Sequence, residues 1–301
     1  MRRARGAHPT RLAVIGAGRA GLGLATCLAG SGYLLTGIVA RSRASASRAS
    51  RIAGRGLGTT RAERPVRDAA VVLLCVPDRA IADAVRSLSR HDLAGKVVLH
   101  TSGDLSEAPL SPLRRRGAAV GCLHPLWSFP EPGRRTVDLK GVAFAIDGDG
   151  EARAAARAMV RVLGGRPLRI PEAKRASYHL AASILANDLV ALLDIGMDLA
   201  ARRLRVSRRS AREIFLPLVR AAVENVSRSG PGRALTGPVV RGDISTIEHH
   251  LQALSGEDPG VQAVYRSLTC RCIRMARRER RITAGQADDL ARLLGCRSRH
   301  D

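Results

Sequence analysis

The first half of the chain alternates short apolar runs with segments that carry apolar residues at helical spacing. The runs are rich in aliphatic and β-branched residues and end at turn residues. They are RLAVIG (11–16), YLLTGIVA (33–40), AAVVLLCV (69–76), KVVLHTSG (96–103), AAVGCLHP (118–125), GVAFAID (141–147) and RPLRI (166–170). Nearly continuous apolar strands separated by helices are typical of parallel sheets covered on both faces. Residues 11–171 are therefore predicted to form a doubly wound α/β domain.

The pattern changes at residue 172. From there the periodicity predicts only helices, at about 173–204, 208–227, 244–254, 261–278 and 284–294, with SRSGPG and SGEDPG among the separating turns. Residues 172–301 are therefore predicted to form an all-helical domain. The first ten residues, with Arg2, Arg3 and Arg5, are predicted to be a disordered basic tail.

Three features of the chain bear on its location. The basic start MRRARGAHPT is not followed by the apolar core of a signal peptide. The longest apolar stretch, 179–201, contains an asparagine and three aspartates, which are costly in lipid. Cys75 and Cys122 lie in apolar runs that favour buried, reduced thiols, and Cys270-x-Cys272 is too weak a pattern for a metal site. These features predict a cytoplasmic protein without a membrane partner or a bound metal.

A glycine-rich turn follows the first predicted strand. Gly16, Gly18 and Gly21 are spaced G-x-G-x-x-G in AVIGAGRAGLGLA and open a helix that includes Arg19 and Ala20. In dinucleotide sites the first glycine allows the tight turn, and the second lets the backbone approach the pyrophosphate. The third glycine lets the helix pack closely on the strand, and the helix N terminus holds the phosphates. The motif predicts a dinucleotide site; the alternative is a turn of this shape that has lost its ligand.

The end of the second predicted strand indicates which dinucleotide binds. NAD sites usually have an acidic residue there, which accepts hydrogen bonds from the ribose. This chain has Arg41, Ser42 and Arg43 instead. Guanidinium and hydroxyl groups suit a 2′-phosphate, so NADP(H) is the predicted cofactor, although an arginine can be incidental in so arginine-rich a chain. The ends of the next strands complete the predicted cofactor site with Cys75, Val76, Pro77, Thr101 and Ser102.

The net charge of +24 bears on the possible partners. Charge of this sign attracts polyanions. However, only three of the 50 Lys and Arg residues are lysines, and the arginines are scattered along the chain. This bias is typical of codon usage in a GC-rich genome. With 2% aromatic residues there are also few rings on which bases could stack, so nucleic-acid binding is not favoured.

Several segments together resemble one family. They are VIGAGRAGLGLA, VARSR, CVPDRAIADA, VVLHTSGDLS, GCLHPLWSFP, KRASYHLAASILAND and LTGPVVRGDISTIEHHL, from about residue 12 to 251, with DPGVQAVYRSL beyond. The family is that of the Rossmann-like proteins with a DUF2520 domain, distant relatives of the 6-phosphogluconate dehydrogenase superfamily. The chain departs from the family pattern at Asp104, Trp127–Ser128 and Asp188. The resemblance implies a Rossmann-type NADP oxidoreductase that dimerises through its helical domain. Relatives reduce small ketoacids or cyclic imines, and 2-dehydropantoate is the most specific substrate that the resemblance suggests.

Two residues are candidates for the chemistry at the reacting group. Hydride transfer to a carbonyl or imine needs a proton donor and a group that polarises the acceptor. His124 directly follows a predicted strand and could donate the proton; alternatively it fixes the turn before Pro125. Lys174 lies where the long helix begins and could polarise a carbonyl, as a lysine does in superfamily relatives; alternatively it is simply solvated.

Further candidates lie on the predicted helices. His179, Ser183 and Asn187 are spaced i, i+4, i+8 and form one polar stripe on an apolar helix. Polar groups on a buried helix need partners, so function is favoured for His179 and Asn187 and packing for Ser183. In LTGPVVRGDISTIEHHL, Asp243 is a predicted N-cap. Arg241 is the candidate binder of a substrate carboxylate, and His250 a second substrate-binding candidate.

These residues and the resemblance predict an NADP(H)-dependent reductase of a small, anionic carbonyl or imine substrate. The alternative is a protein that binds NADP(H) without turnover, as a sensor or an interaction protein.

Overall fold

The structure is a computed structural model that describes residues 9–54, 56–133 and 137–296. Most of the predicted basic tail, residues 1–8, therefore lies outside the described residues. Contacts between residues divide the chain into two compact units, Met1–Asp188 and Leu189–Asp301, and each is described by itself. The domain boundary predicted near residue 171 stays a prediction.

The first unit contains an eight-stranded sheet. Its strands are β1 (Arg11–Ile15), β2 (Leu34–Val39), β3 (Gly58–Thr59), β4 (Val71–Leu74), β5 (Val97–His100), β6 (Ala119–Pro125), β7 (Ala143–Gly148) and β8 (Arg166–Leu168). They lie in the order β3-β2-β1-β4-β5-β6-β7-β8, and every neighbouring pair is parallel except β6 and β7. The predicted α/β fold is confirmed, with the last two strands, β7 and β8, running opposite to the other six.

Helices cover both faces of this sheet. They are α1 (Arg19–Gly30), α2 (Arg43–Ala53), α3 (Glu63–Asp68), α4 (Ile81–Leu88), α5 (Ser111–Arg114) and α6 (Gly150–Val162). A further helix, α7 (Arg175–Ser183), follows the last strand. Alternate residues of one strand enter opposite cores, because side chains along a strand alternate between the two faces. Val14 and Leu73 pack in one core, and Ala13 and Val72 in the other. The two cores fix the strands and with them the loops at the strands' carboxyl ends.

The second unit consists of helices joined by turns and loops in its described residues. Its helices are α8 (Leu189–Arg203), α9 (Arg208–Ala234), α10 (Ile244–Leu254), α11 (Pro259–Arg278) and α12 (Ala284–Leu294). No strand occurs between residue 172 and residue 296, the last one described, as the sequence predicts. The predicted N-cap is also confirmed, since the Asp243 carboxylate accepts a hydrogen bond from the Thr246 N–H at 3.1 Å.

The cysteines are partly as predicted. Cys75 and Cys122 are free, and Cys122 is buried. Cys270 and Cys296 form a disulfide that joins α11 to the end of α12, a pair that the sequence analysis does not anticipate. Disulfides are uncommon in cytoplasmic proteins, so a cytoplasmic location does not explain this pair.

One helical stretch has the size of a membrane span. Glu172–Arg203 is long and apolar enough by length and composition alone. A single stretch of this kind is weak evidence, and Asn187, Asp194 and Asp198 within it are costly in lipid.

Candidate functional site

Two glycines of the G-x-G-x-x-G motif are required by close backbone packing. Gly16 has a φ of +113° and donates its N–H to the Val39 carbonyl at 2.8 Å. A Cβ on Gly16 would clash with the carbonyl oxygen of Cys75, and a Cβ on Gly21 would clash with the carbonyl oxygen of Gly16. These contacts hold α1 tightly on the ends of β1 and β4, as a dinucleotide-binding turn requires.

Gly18 is different, because nothing lies within 4 Å of the position that its Cβ would take. Gly18 is the N-cap of α1 and has no side chain with which to cap the helix. The N–H groups of the first turn, which begins at Arg19, are therefore left for an external anion. The turn has the open space and the donors that a pyrophosphate needs.

The three residues predicted to bind a 2′-phosphate lie together at the start of α2. Ser42 is the N-cap of this helix, and its hydroxyl accepts a hydrogen bond from the Ser45 N–H at 3.2 Å. Arg41 and Arg43 flank it and are exposed, and neither forms an ion pair within the described part of the chain. Two free guanidinium groups are thus available to a phosphate, while the serine hydroxyl is already used as a cap.

Polar side chains after β5 are hydrogen-bonded to the end of β4 and to the loop that follows it. The Thr101 hydroxyl donates to the Leu74 carbonyl at 3.2 Å, and the Ser102 hydroxyl donates to the Asp78 carboxylate at 2.9 Å. Burial raises the pKa of the Cys75 thiol to about 12, which keeps it protonated. These side chains shape the loops at the sheet edge rather than present free hydroxyl or thiolate groups.

A cavity of about 340 Å³ lies at the carboxyl end of β6, within the first unit. One wall comes from the turn after β6, and the other comes from α7 and the π-helical segment Ile184–Asp188 that follows it. Single π-helical turns inside helices are frequent at functional sites. The cavity brings together predicted candidates from both walls: His124 on the first, and His179, Ser183 and Asn187 on the second.

His124 is paired with a tyrosine that the sequence analysis missed. Its Nδ1 lies 2.9 Å from the hydroxyl of Tyr178, and the ring centroid of His179 lies 6.5 Å from its own. Burial, and next the charges of His179 and Arg175, lower the pKa of His124 to about 4. Burial raises the pKa of Tyr178 to about 12. At neutral pH both side chains are therefore uncharged, and the hydrogen bond runs either from the tyrosine hydroxyl to Nδ1 or from a protonated Nδ1 to the hydroxyl oxygen.

Gly103 lies against both imidazole rings. A Cβ there would lie 2.8 Å from Nε2 of His124 and 3.0 Å from Cδ2 of His179. Only a residue without a side chain fits at this distance. The sequence held two signals for these partners: Gly103 ends a predicted strand, and Tyr178, one of only three tyrosines, precedes a candidate histidine.

A buried arginine fixes the start of α7. Arg175 is 2% exposed, and its guanidinium donates to the Leu105 carbonyl at 2.8 Å and to Sγ of Cys122 at 3.3 Å. It also lies 3.6 Å from the Asp147 carboxylate. These contacts join α7 to β6, to β7 and to the loop after β5. They set the direction in which α7 presents Tyr178 to His124.

Three of the predicted catalytic and substrate-binding residues do not line this cavity. Lys174 is exposed at the end of a short 3-10 turn, Glu172–Lys174. Arg241 belongs to the second unit, where it lies 3.9 Å from the Asp243 carboxylate. His250 lies in the second unit as well, with Nδ1 2.8 Å from the Tyr265 hydroxyl, beside an apolar cavity of about 370 Å³. Their catalytic or substrate-binding roles stay predictions.

A larger groove lies elsewhere in the first unit. It measures about 850 Å³ and is lined by Arg11, Leu34 and Thr36 at the amino ends of β1 and β2, among others. Open α/β sheets bind their ligands at the carboxyl ends of the strands. The cavity beside His124, not this groove, is therefore the candidate site.

The depressed pKa of His124 predicts a loss of stability in mild acid. Its pKa is about 4 in the folded protein, against 6.5 as the ordinary value. The unfolded chain binds more protons between these values, so stability is lost as the pH falls from about 6.5 to about 4. Because the ring is not fully buried, we expect this group to contribute about 1–2 kcal/mol.

Urea unfolding at several pH values, on the wild type and on His124→Gln, measures this contribution. Burial also lowers the pKa of His100, so this residue likewise makes the protein less stable as the pH falls. Because His100 is present in both proteins, its contribution cancels in the comparison. Identical pH profiles for the two proteins would contradict the expectation.

Two family models match the chain. A Rossmann-like domain matches residues 2–125, and DUF2520, a domain of unknown function, matches residues 142–272. No curated protein matches the sequence.

Several solved structures are similar over most of the chain. A candidate NADP oxidoreductase from Bacteroides fragilis is 24% identical over 88% of this chain and 98% of its own, with a TM-score of 0.72. A protein from Thermotoga maritima is 24% identical over 89% of this chain and 99% of its own, with a TM-score of 0.66. A reductive aminase from Aspergillus terreus in complex with NADPH is 18% identical over 95% of this chain and 93% of its own, with a TM-score of 0.56. Identities this low show the fold alone. The two matched models describe the order of the chain: a Rossmann-like domain is followed by a DUF2520 domain.

Proposed function

We propose that this protein is an oxidoreductase that uses NADP(H) to reduce a small carbonyl or imine substrate. The observation that carries the proposal is the glycine turn. Gly16 and Gly21 are packed on backbone atoms, Gly18 is open, and Arg41 and Arg43 are exposed at the end of the neighbouring strand. The names of the similar proteins from Bacteroides fragilis and Aspergillus terreus support the choice of NADP(H). Bound at this turn, NADPH would supply the hydride.

The residues of the cavity can orient and polarise the acceptor. We assign the polarising role to His124 rather than to Lys174, because His124 lines the cavity and Lys174 does not. In the proposed tautomer the Tyr178 hydroxyl donates to Nδ1, and the neutral imidazole carries its proton on Nε2. Nε2 then donates a hydrogen bond to a carbonyl oxygen or an imine nitrogen. His179 and Asn187 on the opposite wall are the proposed positioning groups.

Two substrate classes are compatible with this site. The family resemblance favours a small carboxylated substrate such as 2-dehydropantoate, with Arg241 as the proposed carboxylate binder. The lining of the cavity, which lies wholly within described residues, includes no lysine or arginine. A carboxylate there would have no cation beside it, so this observation favours a neutral ketone or imine as the second candidate.

An NADPH oxidation assay against both substrate classes tests the proposal. One panel holds small 2-oxo acids, and the other holds neutral ketones and cyclic imines. With the best substrate, we expect Tyr178→Phe to lower kcat about tenfold, because one hydrogen bond of about 1–1.5 kcal/mol that orients His124 is lost. Tyr33→Phe, next to the start of β2, is the matched control and is expected to behave as the wild type.

Two outcomes of these assays would contradict the proposal. Wild-type turnover by Tyr178→Phe would contradict the role of the His124–Tyr178 pair. NADPH binding without oxidation by any member of either panel would favour the alternative, a sensor or interaction protein that binds NADP(H) without turnover.

We further propose that the protein is a homodimer through its helical unit. Large apolar side chains on α8 and α9 are exposed there, among them Val190, Leu192, Ile214, Leu218 and Val223. Exposed large apolar side chains grouped on neighbouring helices are typical of contact surfaces. A monomer mass in light scattering would contradict the proposal.

A further inference from the structure

The turn after β6 brings an acidic side chain to the glycine turn. Oε2 of Glu131 accepts a hydrogen bond from Nε of Arg19 at 3.0 Å and lies 3.0 Å from Nη2 of the same guanidinium. Oε1 of Glu131 lies 3.6 Å from Nη1 of Arg48. Arg19 is the first residue of α1, and Arg48 donates to the Ala17 carbonyl at 3.3 Å. Both arginines therefore border the turn where the cofactor phosphates are proposed to bind.

The backbone around Glu131 is held in place. Glu131 lies between Pro130 and Pro132, whose rings restrict the backbone. Phe129, just before them, is 9% exposed and packs on Gly23 of α1, where a Cβ would meet its ring. Because the turn is fixed on α1, the Glu131 carboxylate stays within reach of Arg19.

We infer that Glu131 competes with nucleotide phosphates for Arg19 and Arg48 and thereby sets the affinity of the cofactor site. The inference rests on the proposed NADP(H) function. Guanidinium N–H groups give charge-assisted hydrogen bonds to carboxylates and to phosphates, and one N–H cannot serve both fully. A phosphate at the start of α1 also meets the negative charge of Glu131 at close range. In a chain of net charge +24, this carboxylate limits the binding of phosphates in general at the glycine turn.

Glu131→Gln removes the charge and keeps the size of the side chain. We expect it to bind NADPH about threefold or more tightly than the wild type at low ionic strength, and the gain to shrink as salt is added. Inorganic pyrophosphate, a probe without a nucleoside, is expected to gain in the same way. A loss of structure would weaken binding, so a gain in affinity reports on the competition itself.

Calorimetric titration compares the wild type with Glu131→Gln and with a control variant, Glu63→Gln. Glu63→Gln is the matched control, because Glu63 is exposed in the first turn of α3 and its replacement changes the net charge equally. A gain shared by NADPH, NADH and pyrophosphate supports competition at the pyrophosphate. A gain for NADPH alone supports competition at the 2′-phosphate.

Unchanged or weaker binding of NADPH and pyrophosphate by Glu131→Gln would overturn the inference, as would an equal gain in Glu63→Gln. These results differ from a failure of the proposed function, in which the wild type itself binds neither dinucleotide.

Discussion

Arg175→Met is expected to lower the free energy of unfolding of the first unit by about 3–5 kcal/mol, the largest effect of any single substitution considered. Arg175 is 2% exposed and lies 3.6 Å from the carboxylate of Asp147, whose side chain is only 20% exposed. Removing the arginine leaves that carboxylate largely buried without its cation. It also removes the donor to the Leu105 carbonyl. Because folded domains are stable by only about 5–15 kcal/mol, this loss is a large share of the total.

Urea unfolding followed by circular dichroism measures the effect. Lys174→Met is the matched control, since it removes the neighbouring, exposed positive charge, and we expect its midpoint to match the wild type. The double variant Arg175→Met/Asp147→Asn is expected to recover part of the loss, because it leaves no buried charge unpaired. An Arg175→Met protein as stable as the wild type would show that this cluster does not anchor α7.

Gly18→Ala is expected to weaken NADPH binding about tenfold to a hundredfold while leaving the fold intact. Gly18 has an extended backbone, with φ −77° and ψ −174°, which alanine also adopts, and its Cβ would meet no protein atom within 4 Å. The added methyl group would stand where the pyrophosphate approaches the backbone. A steric clash of about 1–3 kcal/mol corresponds to the expected range in affinity.

Two other glycines of the same segment provide the comparison. Gly30→Ala, at the far end of α1, also meets no atom within 4 Å and is expected to change neither stability nor binding. Gly16→Ala is expected to destabilise the fold itself, because its φ is +113° and its Cβ would clash with the Cys75 carbonyl. Full NADPH affinity in a folded Gly18→Ala protein would place the cofactor elsewhere.

Much of the fold could be predicted from the sequence because the apolar runs and the caps are local signals. The bounds of α10 and α12 agree with the prediction, since each helix starts at a side-chain cap, Asp243 or Thr283. The reversed direction of β7 and β8 could not be predicted, because an apolar run does not encode direction. The two-residue strand β3 is too short to show a period. Helix α9 runs past its predicted end at residue 227 to Ala234, with a non-helical break at Gly230.

The candidate site was predictable only where position along an element implies position in space. His124 was found as a strand end, and His179 and Asn187 were found by their helical spacing. Tyr178 and Gly103 were missed, because their roles come from contacts across the fold. Lys174 was chosen for its place at the start of the long helix, whereas the buried side chain is that of the next residue, Arg175. In a chain with 50 Lys and Arg residues, the sequence does not indicate that this one arginine is buried.

The central claim is that the glycine turn binds NADP(H), and one titration tests it most directly. The purified protein is titrated with NADPH and, separately, with NADH at moderate salt, following nicotinamide fluorescence, beside the double variant Arg41→Gln/Arg43→Gln. Moderate salt suppresses the weak attraction of any phosphate to a chain of net charge +24. We expect the wild type to prefer NADPH and the double variant to lose that preference. A preference for NADH would contradict the 2′-phosphate site, and binding of neither dinucleotide would contradict the central claim.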